Sequence, residues 1–266
     1  MTEYALRISD EELNRYRMMA AFAAAAEDAW WMEAGMVPGA RVLDVGCGPG
    51  AVLVELARRI SPGGTIVGID QGAESLEVAR RLISEAGLDN ADVRQGDATD
   101  TGMPEGEADV VNIRHVLAHN PPETCAAIVA HARDLLKPGG HLYVVDSDGS
   151  AFRPERDLDP DLQDLLDRYW QMLADRGCER LAGPRLGAFA ADAGFEVVAR
   201  HPRIDAIPLM PGLRPPAWAA REAMLAGGHC TEDDITRWEA AFQRADAAGE
   251  TNVLFGPIYT VIARRP

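Results

Sequence analysis

The sequence is poor in the basic residues that would place it among nucleic-acid-binding proteins. Lysine and arginine together number 26 against 42 aspartates and glutamates, so the formal net charge is −16. Proteins that bind nucleic acids neutralise phosphates with a basic patch or stripe, whereas the basic residues here are scattered among acids. We therefore expect neither a nucleic acid nor an anionic membrane surface as a partner.

Cysteines and long apolar runs are also scarce. A disulfide framework would usually show more cysteines and closer spacing than the four present, which are Cys47, Cys125, Cys178 and Cys230. The clearest apolar run near the start, residues 20–26, is too short to span a bilayer and follows acidic residues, unlike the core of a signal peptide. These features predict a cytoplasmic protein with reduced thiols.

The sequence does contain a regular alternation of short apolar strands and amphipathic helices. Strands are predicted at residues 41–45, 65–69, 91–94, 108–113, 141–145, 196–200 and 253–263. Helices are predicted between them at residues 51–60, 73–86, 122–136 and 186–193. This alternation indicates an α/β fold, with a largely parallel sheet covered by helices on both faces.

Further helical segments lie outside the alternation. An N-terminal helix is predicted from the capping-box spacing of Ser9 and Glu12. A charged helical segment follows the fifth strand at about residues 151–180, and two more helices are predicted within residues 211–249.

The loop after the first strand has the most informative motif. Residues 44–50 read D-V-G-C-G-P-G and connect a strand to a helix. Glycines allow positive φ and a close approach of the backbone to a ligand, and the helix that follows offers free N–H groups. Such a loop alone is a weak signal, because nicotinamide enzymes share it.

Acidic residues at three strand ends make the signal more specific. Asp44 lies within the first strand, where a carboxylate would repel a pyrophosphate but would suit a ligand with an ammonium group. Asp70 ends the second strand, where an acid can accept both hydroxyls of a ribose, and Asp97 follows the third. All three lie at the edge where open α/β sheets bind ligands.

These motifs together resemble those of class I S-adenosylmethionine-dependent methyltransferases, in particular the small-molecule type found in ubiquinone and menaquinone biosynthesis. The resemblance runs from about residue 42 to 145 and includes the glycine loop, the G-I-D strand end, the G-D-A step and the L-K-P-G-G turn. It implies a Rossmann-like, doubly wound sheet of seven strands in the order 3-2-1-4-5-7-6, the last of them antiparallel. It also implies S-adenosylmethionine as cofactor and S-adenosylhomocysteine as product.

The resemblance further implies a role for individual residues. The methionine part of the cofactor would lie along the glycines, near Asp44 and the backbone of Arg114, with Asp70 on the ribose. An N-terminal helix covers the cofactor in similar enzymes, so Tyr16 or Arg17 would be a lid contact. The implied cofactor-binding residues are Tyr16, Asp44, Gly46, Gly48, Gly50, Asp70, Gln71, Asp97, Ala98 and Arg114.

The segment after the fourth strand, N-I-R-H-V-L-A-H-N over residues 112–120, would lie beside the transferred methyl group. His115 is the first candidate for a general base, because the unperturbed pKa of histidine lies near neutrality. It departs from the residue usual in quinone-biosynthesis enzymes, and a role in orienting the substrate is the alternative. His119 is the second candidate, at a position where relatives carry a structural histidine. Asp146 and Asp148, just past the fifth strand, are interpreted as solvated loop acids; orienting the substrate or holding a metal is the alternative, and no metal site is predicted.

We predict an N-terminal helical lid over residues 1–40 and a methyltransferase domain over residues 41–266. Insertions at about 151–180 and 211–249 would cap the site, which favours a small-molecule acceptor, such as a specialised metabolite, methylated on oxygen, nitrogen or carbon. The second insertion is apolar enough for a homodimer contact. Two alternatives stay open: a protein that binds S-adenosylmethionine without transferring methyl, and a nicotinamide-dependent oxidoreductase.

Overall fold

An eight-stranded sheet organises the part of the chain that the computed structural model describes, residues 10–249 and 251–266. The strands are β1 (Arg41–Val45), β2 (Thr65–Asp70), β3 (Ala91–Gln95), β4 (Ala108–Arg114), β5 (Leu136–Ser147), β6 (Arg153–Pro154), β7 (Glu196–Leu209) and β8 (Asn252–Arg264).

Helices connect most of these strands, and a single 3-10 turn at Leu117–His119 follows β4 within the described residues. The α-helices are α1 (Asp10–Glu33), α2 (Ala51–Arg59), α3 (Ala73–Glu85), α4 (Pro122–Leu135), α5 (Pro160–Asp175), α6 (Ala182–Asp192), α7 (Pro216–Ala219), α8 (Arg221–Ala226) and α9 (Glu232–Ala248). The predicted capping residue Ser9 lies outside the described residues. None of the described helices combines the length and apolar composition that a membrane crossing requires.

The order of the strands confirms the predicted topology. The sheet runs β3-β2-β1-β4-β5-β8, and β7 pairs with the other side of β8. The pairs among β1 to β5 are parallel, whereas β8 is antiparallel to both of its long neighbours. One short strand was not predicted. It is β6, which pairs with Leu254 and Phe255, where β8 extends beyond the end of β5.

The predicted L-K-P-G-G turn forms part of β5 instead. Ala108 pairs with Leu136 but Val110 pairs with His141, so the intervening residues bulge out of register with β4. The backbone of Arg265 exchanges hydrogen bonds with this segment, accepting from Gly139 N and donating to Gly140 O at 2.8 Å each. The turn residues are therefore paired with the end of the chain.

Apolar residues fill both faces of the sheet, as expected for strands covered by helices on each side. One core lies between the sheet and α1, α2 and α3 and includes Leu53, Leu56, Ile66, Val110 and Tyr143. The other lies between the sheet and α4 and α6 and includes Val111, Ile113, Ile128, Leu135 and Leu186. The strand ends, and with them the candidate site, are held between these two layers.

A third hydrophobic cluster, which we call the helical cluster, joins α5 to α7, α8 and α9. Its buried members include Leu165, Met172, Met224 and Trp238. The indole nitrogen of Trp238 donates to Asp164 Oδ2 at 3.0 Å, so its polar atom is satisfied inside the cluster. These helices come from the two segments predicted as insertions, and their role as a cap remains a prediction.

A fully buried carboxylate on α1, that of Glu27, binds donors from three strands. Arg114 Nη1 of β4 lies 2.7 and 2.8 Å from its two oxygens, Arg203 Nη2 of β7 donates at 2.6 Å, and the Tyr143 hydroxyl of β5 donates at 2.7 Å. Burial acts to raise the pKa of Glu27, but the two guanidinium groups and the tyrosine outweigh it and lower that pKa. An ionised carboxylate thus attaches α1 to the sheet.

We predict that Glu27→Gln lowers the free energy of unfolding by about 3 kcal/mol, because removing one member of a buried ion cluster leaves the others uncompensated. The matched control is Asp28→Asn, which removes a neighbouring carboxylate that pairs with Arg59 and whose side chain is 61% exposed. That change should cost less than about 1 kcal/mol. Urea unfolding at pH 7 measures both, and similar losses in the two variants would contradict the role given to Glu27.

Candidate functional site

The glycine loop turns between β1 and α2 in a conformation that its glycines permit. Gly46, Gly48 and Gly50 have φ angles of 76°, 52° and 78°, in the left-handed region where glycine carries no steric penalty. The amides of Gly46 and Cys47 donate to the carbonyl of Ile69 at 2.7 and 3.1 Å. The loop is therefore bound to the end of β2.

The three glycines face different surroundings. A Cβ atom on Gly46 would clash with Val116 Cγ2, and one on Gly50 would lie 2.8 Å from Ala79 Cβ. A Cβ atom on Gly48 would meet no described atom within 4 Å. Gly46 and Gly50 thus allow close packing, whereas the backbone at Gly48 is open to a ligand.

Asp44 lies beside this loop and is only 3% exposed. Asn112 of β4 donates to its Oδ1 at 2.6 Å. Burial raises the pKa of Asp44 to about 6, with a smaller contribution from Asp70, although the Asn112 hydrogen bond and the Arg114 charge act to lower it. A cationic group of a ligand placed here would stabilise the ionised form.

Asp70 connects the loops that follow β1 and β2. Its Oδ2 accepts from Gly48 N at 2.9 Å and its Oδ1 accepts from Gly72 N at 2.8 Å. Burial raises the pKa of Asp70 in spite of these hydrogen bonds. Each carboxylate oxygen has two lone pairs, so Asp70 can hold the glycine loop and still accept from a ligand hydroxyl. The next residue, Gln71, is exposed.

Asp97, two residues beyond the end of β3, accepts hydrogen bonds within its own turn. Its Oδ1 accepts from the amide and the hydroxyl of Thr99 at 2.8 and 2.6 Å. These hydrogen bonds lower the pKa of Asp97. The residue is exposed and the neighbouring Ala98 is partly buried, so the pair forms the rim of the edge that Asp44 and Asp70 line.

The two predicted lid residues, both on α1, have different neighbours. The half-buried ring of Tyr16 lies 4.7 Å from the guanidinium of Arg15, measured to the ring centroid. The side chain of Arg17 lies 3.6 Å from Glu85 Oε2. Arg17 therefore faces α3.

Two residues that follow β4 and one near the end of β5 form a second polar group, which we call the histidine cluster: His115, His119 and Asp146. His115 Nδ1 lies 3.8 Å from Asp146 Oδ1. Burial lowers the pKa of His119, while the charge of Asp146 opposes that shift and His115 and Arg15 add to it. Within the described residues, no three histidine, cysteine, aspartate or glutamate side chains are placed to hold a metal ion.

The interpretation of Asp146 as a solvated loop acid is wrong. It is 1% exposed and lies within β5, which extends to Ser147 because it pairs with β8 there. Its carboxylate accepts from Ser147 N at 2.8 Å and from Ala118 N at 3.0 Å. Asp148 is partly exposed, and it accepts from the amide and hydroxyl of Ser150 in a local turn.

Three polar residues near the site were not among the sequence-predicted site residues: Glu27, Asn112 and Asp146. Each is a polar residue inside an apolar element: Glu27 interrupts the alanine-rich helix α1, Asn112 the hydrophobic strand β4 and Asp146 the hydrophobic strand β5. Buried polar groups need partners, so that interruption was the available signal. It could not reveal which partners they have.

Comparison with known proteins settles the family. A family model described as a methyltransferase domain matches residues 37–180, more than half of the chain. The chain belongs to this methyltransferase-domain family. Sequence resemblance predicted this membership, and the match confirms it.

Individual relatives of the methyltransferase domain agree. Over 172 residues the chain is 41% identical to a nocamycin O-methyltransferase of Saccharothrix syringae, a match that covers 64% of this chain and 52% of the relative. It is 35% identical over 116 residues to a ubiquinone biosynthesis O-methyltransferase of Acinetobacter baumannii (strain AYE), covering 42% and 47%. The chain thus spans about half the length of the curated relatives it matches.

A solved structure supports the fold. The crystal structure of a presumed methyltransferase from Bacillus halodurans C-125 is 23% identical and superposes with a TM-score of 0.59, covering 90% of this chain and 98% of that one. The predicted α/β methyltransferase fold is therefore confirmed.

We predict that Gly46→Ala disrupts the glycine loop more than Gly48→Ala does. Both positions have positive φ, which costs alanine about 1–2 kcal/mol. Only Gly46 adds a clash, with Val116, which should bring the total loss of unfolding free energy to roughly 3 kcal/mol. Chemical denaturation of the two variants measures the difference, and equal losses would mean that Val116 moves aside without cost.

Proposed function

We propose that this protein transfers a methyl group from S-adenosylmethionine to a small-molecule acceptor and releases S-adenosylhomocysteine. The observation that carries the proposal is the pair of buried carboxylates, Asp44 and Asp70, on either side of a glycine loop whose Gly48 backbone is open. Membership of the methyltransferase-domain family supports it.

The residues at β1 and β2 fit the cofactor's chemistry. S-adenosylmethionine has an ammonium group and a ribose but no phosphate. Asp44, buried and hydrogen-bonded by one neutral side chain, gains a counter-charge from an ammonium group. Asp70 has acceptor capacity left for ribose hydroxyls, and Gly46, Gly48 and Gly50 would contact the methionine part through their backbone.

The remaining predicted contacts complete the proposal. Gln71, Asp97 and Ala98 would surround the adenine at the rim of the sheet, and the backbone of Arg114 would lie near the methionine end. Tyr16 would approach from α1.

The nicotinamide alternative is disfavoured by Asp44. A dinucleotide places a pyrophosphate at the glycine loop, where the charge of Asp44 would repel it. Like charges at close range in a poorly solvated site are costly. Among the described residues, the hydrogen bond to the Asp44 carboxylate comes from the neutral amide of Asn112, with no arginine or lysine donor beside it.

Methyl transfer requires that the nucleophile, the methyl carbon and the sulfur are aligned in a site that excludes water. When bound, the cofactor supplies an activated methyl group. His115 and His119 are the proposed bases, after the end of β4 and beside the glycine loop.

The acceptor and the location are proposed on other grounds. Relatives named for nocamycin and ubiquinone biosynthesis support a small-molecule acceptor. Four free cysteines support a cytoplasmic location.

The first test is calorimetric titration with S-adenosylhomocysteine. We expect micromolar binding to the unmodified protein and a loss of at least about 100-fold for Asp70→Ala, which removes an anionic acceptor of hydrogen bonds. The control is Asp92→Ala, an exposed carboxylate on β3, which should bind normally. A folded wild-type protein that binds a reduced nicotinamide dinucleotide and not S-adenosylhomocysteine would overturn the proposal.

Binding should also weaken in acid. Because the pKa of Asp44 is raised to about 6, its carboxyl group is protonated below that pH and no longer attracts an ammonium group. Between pH 8 and pH 5 the Kd for S-adenosylhomocysteine should therefore rise about tenfold. Asp44→Asn should bind more weakly at pH 8 and lose most of this pH dependence. A wild-type Kd that is constant over the range would refute the role assigned to Asp44.

A further inference from the structure

The guanidinium group of Arg180 has no counter-charge among the described residues. Arg180 lies between α5 and α6 and is partly buried, and its Nε is shielded from solvent without a hydrogen-bond partner. Within the described residues its one side-chain hydrogen bond, from Nη2 to the carbonyl of Gly149, is 3.4 Å long, near the limit for such a bond. A partly buried cation with so few acceptors is costly.

The acids nearest to Arg180 along the fold are engaged elsewhere. Glu179 forms an ion pair with Arg185, and Asp148 accepts from the amide and the hydroxyl of Ser150. Neither carboxylate lies within ion-pair distance of the Arg180 guanidinium in the described structure. An anion for this cation therefore has to come from outside this set of residues.

The backbone at Arg180 is attached to the ends of two central strands. The Arg180 carbonyl accepts from the amide of Gly149 at 2.8 Å, and the amide of Glu179 donates to the carbonyl of Asn120 at 2.9 Å. Gly149 follows β5, and Asn120 follows the 3-10 turn after β4. Arg180 is thus fixed at the carboxyl ends of the strands that also position the histidine cluster, on the edge where such sheets bind ligands.

The guanidinium lies against three aromatic side chains, Phe152, Tyr169 and Trp170, which we call the aromatic wall. Its central carbon is 5.3 Å from the centroid of the Trp170 ring. That ring is 6.3 Å from the ring of Phe152 and 5.3 Å from the ring of Tyr169, between centroids. A Cβ atom on Gly149 would lie 2.7 Å from Trp170, so a glycine there lets the indole pack against the loop. Contact with the ring orients the guanidinium and leaves its edge available to a ligand.

The aromatic wall borders the proposed site beside α1. Burial raises the pKa of Tyr169, and the charge of Arg15 on α1 opposes that shift. Burial lowers the pKa of His119, and the charge of Arg15 adds to that shift. Because the interaction between charges falls with distance, Arg15 is close to both side chains. The wall therefore extends from the neighbourhood of the histidine cluster to Arg180.

We propose that Arg180, oriented by Trp170, binds an anionic group such as a carboxylate on the methyl acceptor. This inference rests on the methyl transfer proposed above and adds a substrate class: a small acid whose methylated part lies at the histidine cluster and whose anionic group lies at Arg180. The net charge of −16 gives such an acid no general attraction to the protein, so its binding needs a dedicated cation. The planar fork of a guanidinium matches a carboxylate.

The first experiment measures binding of three carboxylates and their matching amides to protein saturated with S-adenosylhomocysteine. The probes are benzoate, naphthoate and hexanoate, and calorimetry gives each Kd. At least one acid should bind about 10- to 100-fold more tightly than its amide, because a hydrogen bond to a charged group is lost in the amide. Arg180→Gln should remove this preference, and Arg180→Lys should restore part of it.

The matched control is Arg133→Gln. Arg133 is also a partly buried arginine with an unpartnered Nε, but it lies in the last turn of α4, which leads into the start of β5 at the opposite edge of the sheet. Its replacement should leave the preference for acids unchanged. The inference is overturned by equal binding of acids and amides, by no detectable binding of any acid, or by a preference that survives in Arg180→Gln.

A second experiment needs no bound ligand. Arg180→Met keeps an apolar stem against Trp170 and removes a charge that has no partner, so its urea midpoint should equal or exceed that of the wild type. An arginine that serves the fold would lower the midpoint when replaced, and that result would contradict a role in binding. Benzoate should raise the midpoint of the wild type and leave that of Arg180→Met unchanged.

Titration with S-adenosylhomocysteine separates the two proposals. Arg180→Gln should bind it within about threefold of the wild type, which also shows that the variant is folded. If the wild type does not bind, the methyl-transfer proposal fails, whatever the preference for acids. If the wild type binds and Arg180→Gln does not, Arg180 serves the cofactor, and only the inference about the acceptor fails.

Discussion

The position of α1 depends on one buried carboxylate. Glu27 accepts hydrogen bonds from β4, β5 and β7, and without it the guanidinium groups of Arg114 and Arg203 would lack this buried counter-charge. Arg114 also lowers the pKa of Asp44. The ion cluster that attaches the N-terminal helix therefore contributes to the electrostatics of the glycine loop. The packing of α1 is thereby linked, through Arg114, to the residue proposed to receive the cofactor's ammonium group.

The candidate site stores unfavourable free energy in two places. Burial raises the pKa of both Asp44 and Asp70, so the ionised form of each carboxylate is held at some cost to stability. His115 holds a backbone conformation that glycine or asparagine would adopt more readily. Such conflicts between local preference and global fold are expected where a protein binds or reacts. A cation near Asp44 would relieve part of the cost, which links ligand binding to the stability of the strand ends.

Local signals in the sequence were sufficient for most of the fold and for the glycine loop. Strand and helix periodicity, and the spacing of the glycines and Asp70, depend on neighbouring residues, and family resemblance supplied the strand order. The burial of Asp146 could not be predicted from such local signals. It depends on the pairing of β5 with β8, a strand that lies more than a hundred residues further along the chain. The partners of Glu27, the bulge at residues 136–140 and the short strand β6 also depend on distant pairings.

The carboxylates of Asp44 and Asp70 and the histidine cluster would act at different stages of the proposed reaction. The ammonium group near Asp44 is present in both S-adenosylmethionine and S-adenosylhomocysteine, so that contact stabilises substrate, transition state and product alike. Uniform binding of this kind lowers KM without accelerating chemistry. A proton, by contrast, leaves the acceptor only as the methyl group moves. In the proposed reaction the histidine cluster would therefore supply an interaction that strengthens in the transition state, and its geometry, more than that of the glycine loop, would govern the rate.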